Sequence, residues 1–113
     1  MATMTEIVTV PQRKAREIAR RRAAADAIMA ELKAFAASHG GRYMVFGSVA
    51  ENRMSFESDF DVVVDFPLDL ENAAVEFVED LCRRLDLPAD VHLKSLASAR
   101  FLGRIADHAV TLP

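Results

Sequence analysis

The sequence predicts an α/β (strictly, α+β) fold: a small mixed sheet of three to four strands packed against helices. Three observations lead there. Helical periodicity fills the first third of the chain. Two strand-like apolar runs follow, Tyr43-Met44-Val45-Phe46 and Val62-Val63-Val64. Caps and breakers then divide the remainder into a helix, a strand, a second helix and a closing strand. The element order is therefore α-β-β-α-β-α-(β), and one domain is expected from 113 residues.

Each element has a local reason. Residues 1–10 read as a flexible or extended N-terminus. Pro11 suits a first helical turn, where its missing N–H is not needed. Ile18, Ala25, Ile28, Met29, Leu32, Phe35 and Ala36 mark the buried stripe of a helix running to His39. Its Ala-rich middle favours helix, and Gly40-Gly41 ends it. A strand is expected over Arg42 to Phe46. The Gly47–Ser58 loop has room for a short helical turn. A second strand covers Asp59 to Phe66, stopped by Pro67. Asp69 is expected to cap a helix through Asp86, with Ala73, Ala74, Phe77, Val78, Leu81, Cys82 and Leu85 on its apolar face. A third strand, Ala89 to Lys94, follows Pro88. Ser98 caps a helix carrying Phe101, Leu102, Ile105 and Ala106. Ala109 to Leu112 forms the last strand.

Composition narrows the function. No apolar run approaches the roughly 18 residues that span a bilayer. Residues 1–10 lack the basic-then-apolar order of a secretory signal. The single Cys82 forms no internal disulfide, and no Cys/His set has zinc spacing. These features point to a reducing, cytoplasmic setting. A net charge of −3 argues against a nucleic-acid binder with a basic face along its whole length. The charge is uneven, however. Arg13, Lys14, Arg16, Arg20, Arg21 and Arg22 crowd one segment, either as a solvated helix face or as a site for RNA, nucleotide or an acidic protein.

The chemistry concentrates between Gly47 and Asp61. Residues two apart on a strand share a face, so Asp59 and Asp61 project together, about 7 Å apart along it. Two such carboxylates repel unless a cation lies between them. Hard oxygen ligands favour Mg²⁺, which takes one or two carboxylates plus substrate phosphates. An Asp-x-Asp strand alone equally describes a half-buried strand with an acidic face. Val63 points away from that reading, since the valine triplet suggests burial on both faces. Gly47-Ser48 supplies a glycine that lets backbone N–H groups approach a phosphate, and a hydroxyl donor.

The pattern strand, Gly47-Ser48, ten residues, Asp59-x-Asp61, strand resembles the nucleotidyltransferase superfamily that includes DNA polymerase β. The run Ser58-Asp59-Phe60-Asp61-Val62-Val63-Val64-Asp65-Phe66-Pro67 is most similar to the minimal nucleotidyltransferases, short bacterial and archaeal proteins often paired with a HEPN-domain partner. The resemblance covers residues 25 to 112. It implies a third carboxylate on a later strand, matched by Asp90. It also departs from its model at one place. Members commonly carry Ala-Arg-Gly where this chain has Ala50-Glu51-Asn52. Asn52 tolerates the left-handed backbone that a glycine there would adopt. Glu51 reverses the expected charge, and Arg53 stands two positions on as a substitute cation. Asp65 lies too far along the strand for a compact metal site. His92 shares a face with Asp90, with packing or exposure as its simpler role. His39 and His108 flank element ends, with no chemistry expected of them.

The resemblance implies Mg²⁺-dependent transfer of a nucleoside monophosphate, AMP from ATP, to an acceptor hydroxyl. Asp59, Asp61 and Asp90 would be the catalytic and metal-binding set, with room for two ions. Gly47, Ser48 and Arg53 would hold the phosphates. The implied acceptor is a HEPN toxin adenylylated on tyrosine, making the chain the antitoxin of a toxin–antitoxin pair. Two alternatives stay open: a weakened scaffold that neutralises its partner by binding alone, and nucleotidylation of a small molecule. The residues do not decide oligomeric state, so a homo-oligomer also stays open.

Overall fold

The computed structural model describes residues 8–113. In chain order the elements are α1 (Val10–His39), β1 (Arg42–Phe46), α2 (Gly47–Ala50), β2 (Phe60–Asp65), α3 (Glu71–Arg84), β3 (Ala89–Leu93), α4 (Ala99–Ala106) and β4 (Val110–Leu112). Short 3₁₀ turns lie at Leu68–Leu70 and Lys94–Leu96. The expected α/β architecture and element order are observed. Residues 1–7 of the expected flexible N-terminus lie outside the described residues. Thr9 is an extended N-cap, and Val10 is already helical. Thr9 Oγ1 accepts from the Gln12 N–H at 3.2 Å, and the Gln12 side chain accepts from the Thr9 N–H at 2.9 Å. At the other end Gly40, at φ 72°, turns the chain out of the helix, as expected of a C-cap glycine.

The sheet order is β3-β2-β1-β4. β1 is antiparallel to both β2 and β4, whereas β2 and β3 are parallel. A parallel pair needs a crossover, and α3 supplies it. α1 and α3 cover one face. There Ile28, Leu32, Ala36, Tyr43, Val45, Phe60, Val62, Val64 and Val78 are buried together. Buried Tyr43 donates its hydroxyl to the Ala74 carbonyl at 2.9 Å, so no polar atom of the core is left unsatisfied there. Cys82 is a buried core residue; burial, then Glu79, pushes its thiol up to about 11, away from any reactive thiolate.

The opposite face carries Met44, Phe46, Asp61, Val63, Asp65, Asp90 and His92, as the register requires. Val63 pairs with Met44 on one side and His92 on the other and is fully buried, matching the expectation of burial on both faces. α4 packs over this face. Its Phe101 meets Phe46 edge-on at 5.4 Å and lies 5.0 Å from His92, ring centre to ring centre. Ser98 caps α4 as expected, accepting from the Phe101 N–H at 3.1 Å.

Asp69 does not cap α3. It sits inside the 3₁₀ turn Leu68–Leu70, the N-cap position falls to Leu70, and no side chain caps the helix. Pro67, at φ −52° and ψ 147°, launches that turn, and its carbonyl accepts the Leu70 N–H at 2.9 Å, so the helix starts later than Asp69 requires. Asp59 precedes β2 and is exposed instead of opening the strand.

Candidate active site

Three strand ends meet at one edge of the face that α4 covers. Phe46 at the end of β1 pairs with Asp61 on β2, and Asp61 pairs with Asp90 on β3. Paired residues point to the same side of a sheet, so this register aligns the two carboxylates beside the Gly47 turn. The Phe60 N–H donates to the Pro88 carbonyl at 2.8 Å, and this contact starts the parallel pairing that sets the alignment.

Gly47 itself is dictated by geometry. Its φ is 70°, a conformation L side chains rarely adopt. A β-carbon there would overlap Asp61 Oδ2 and lie 3.2 Å from Cγ. Ser48 follows in the single turn of α2. That turn closes through the Glu51 N–H to the Gly47 carbonyl and the Arg53 N–H to the Ser48 carbonyl, both at 3.0 Å. Asn52 then takes φ 54°, the left-handed conformation expected of it.

The electrostatics single out Asp61. Burial, and then the neighbouring carboxylates of Asp90 and Asp59, push its carboxyl up to about 6, against the opposing pull of His92 and Arg53. Both of the other expected carboxylates therefore act on Asp61. Asp90 is hydrogen-bonded to His92 Nε2 at 3.2 Å, so His92 does approach the site. Asp65 lies apart, between Arg42 and Lys94, each 3.4 Å away.

Among the described residues no group of three or more His, Cys, Asp or Glu side chains is placed to hold a metal ion. The donor set nonetheless fits a hard cation. It is open, oxygen-only and mutually repulsive, which suits an ion completed by substrate phosphates.

Arg53 is less available than expected. It is exposed and donates to Glu51 at 3.2 Å, and this bond holds the Glu51 carboxyl below the usual carboxylate range. Arg104, which no motif marks, and His108, of which no chemistry was expected, lie close to this edge. They line a 220 Å³ pocket with Phe46, Gly47, Glu51 and Phe101. Phe101, Arg104, Ile105 and His108 recur at i, i+3, i+4 and i+7, and that stripe was the available signal.

Much of the basic segment serves the fold. Arg21 Nη1 donates to the Ser58 carbonyl at 2.8 Å, and Arg22 Nη1 donates to the Val49 carbonyl at 3.1 Å. These carbonyls stand at the two ends of the loop joining α2 to β2. Glu17 and Asp26 hold the two guanidinium groups from behind. Arg20 reaches the Leu85 and Asp86 carbonyls at 3.1 and 2.8 Å, tying α1 to the end of α3.

A mixed parallel–antiparallel sheet with a Gly-Ser turn beside strand-end carboxylates defines an α/β protein with an acidic site at the sheet edge. The chain matches the family model described as "Nucleotidyltransferase domain" over residues 27–111. It belongs to that family, and its general chemistry is nucleotidyl transfer. No curated protein matches the chain closely enough to add a relative. Among the described residues no helix is long and apolar enough to cross a membrane.

Proposed function

We propose that the chain transfers AMP from ATP to a hydroxyl supplied by a protein partner. The observation that carries the reading is the register Phe46–Asp61–Asp90, which sets two carboxylates beside Gly47. Asp59, Asp61 and Asp90 would hold Mg²⁺ together with the triphosphate. When bound, the ion would neutralise charge on the phosphates and raise the electrophilicity of the α-phosphorus.

The remaining work belongs to the protein. Gly47, without a β-carbon, lets the phosphates approach the turn, and Ser48 offers a hydroxyl donor. Asp90, hydrogen-bonded to His92, would accept the proton of the attacking hydroxyl. The hydroxyl oxygen bonds to the α-phosphorus, the bond to the β-phosphate bridge breaks, and pyrophosphate leaves. Catalysis is mostly positioning and charge neutralisation.

The resemblance to minimal nucleotidyltransferases supports a HEPN toxin as acceptor and an antitoxin role for this chain. That warrant is one of family likeness, since a fold does not choose its acceptor. Pyrophosphate release by the protein co-expressed with a HEPN-domain protein, in Mg²⁺ and ATP, tests it. Release that requires the partner supports the reading. Release with a small hydroxyl compound but not the partner would replace it with small-molecule nucleotidylation.

The Glu51–Arg53 pair favours one rival. A loop cation spent on an internal ion pair suits a scaffold that neutralises its partner by contact alone. Neutralisation that survives Asp59→Asn with Asp61→Asn would establish that rival.

A further inference from the structure

We propose that Arg104 of α4 binds the outer phosphates of the nucleotide, replacing the loop cation that Glu51 displaces. This rests on the nucleotidyl-transfer reading above and assigns a residue to its substrate.

The first ground is position. Arg104 lines the 220 Å³ pocket that opens on Gly47, the turn nearest Asp61. A phosphate chain held by the Asp59–Asp61 edge and running past Gly47 would enter this pocket. The second ground is charge. Among the described residues Arg104 pairs with no carboxylate, whereas Arg53 is held by Glu51. The same pocket contains His108, a second nitrogen donor, and the Glu51 carboxylate, which repels phosphate wherever Arg53 does not screen it. A guanidinium free of carboxylates can present its fork of N–H donors to phosphate oxygens.

The third ground is anchoring. The Arg104 guanidinium lies 5.5 Å from the Phe101 ring centre, and Phe101 packs on Phe46, the residue directly before Gly47. The chain Phe46–Phe101–Arg104 thus ties the cation to the turn it would serve. The charge that relatives carry in the loop is delivered here from a helix across the pocket.

Calorimetric titration of the Mg²⁺-loaded protein with ATP, pyrophosphate and AMP tests the assignment. Arg104→Gln should weaken ATP and pyrophosphate binding about tenfold while changing AMP binding less than about twofold. Arg104→Lys, which keeps the charge without the fork, should recover part of the loss. Arg100→Gln, one turn earlier on α4, should bind all three like the parent. Glu51→Gln should tighten ATP. Parental ATP binding by Arg104→Gln would overturn this inference and leave nucleotidyl transfer standing. Equal loss of ATP and AMP would also overturn it, by showing a general effect on the fold. Absence of ATP binding by the parent protein would overturn both readings.

Discussion

Gly47 and Asp61 stand so close across the β1–β2 edge that a β-carbon on one would overlap the carboxylate of the other. The carboxylate therefore leaves room only for a glycine at the turn. Gly47→Ala meets this contact and a φ of 70° together. It should lower stability by about 1–3 kcal/mol in urea denaturation and abolish nucleotide transfer. Ser48→Ala, with no such conflict, should keep the parent's stability.

Asp61 should make the fold less stable at neutral pH than at low pH. Its folded-state pKa of about 6 lies above the unfolded value of 3.8, so ionisation disfavours the folded state. The penalty is absent below the unfolded value, grows through the window up to about 6, and is complete above it. Asp61→Asn should therefore stabilise the protein by about 1–2 kcal/mol at pH 7.5, after allowance for solvent screening. The gain should vanish near pH 3.8. Denaturation midpoints at the two pH values check both the sign and the window.

A cation should relieve the same repulsion. Mg²⁺ should raise the melting temperature of the parent protein and leave that of the Asp59→Asn, Asp61→Asn double variant unmoved. Differential scanning fluorimetry across a Mg²⁺ series, with Na⁺ at matched ionic strength, separates binding from screening.

Arg21 and Arg22 clamp the loop from α1, through the Ser58 and Val49 carbonyls. Replacing Arg21 with Met keeps much of its packing and removes both the bond to Ser58 and the pair with Glu17. A loss of about 1–2 kcal/mol is expected. Amide hydrogen exchange should quicken over residues 51–59 and stay slow in β1. Uniform quickening across the sheet would show that Arg21 supports the whole fold instead of the loop.

Local pattern made most of this architecture legible. The stripe of α1, the valine run of β2, the Ser98 cap and the left-handed Asn52 all depend on neighbours within a few residues. Asp61 was legible because strand alternation fixes which side chains share a face, whereas Asp90 was legible only through the family resemblance. The Asp69 cap failed because Pro67 imposes a 3₁₀ turn before α3 begins. The Arg21 and Arg22 clamps were hidden because their acceptors lie 37 and 27 residues away. Arg104 was hidden because its meaning depends on how α4 docks on Phe46. Periodicity exposes the stripe but not what the stripe faces.

The central claim is that Asp59 and Asp61 carry nucleotidyl transfer to a partner protein. The most direct measurement is incorporation of α-labelled ATP into a co-expressed HEPN-domain protein, the proposed acceptor, in Mg²⁺, comparing the parent with Asp59→Asn, Asp61→Asn. The account predicts label on the partner, lost by at least about 10²-fold in the double variant while the complex still forms. No label from the parent protein, or equal label from both, would contradict it.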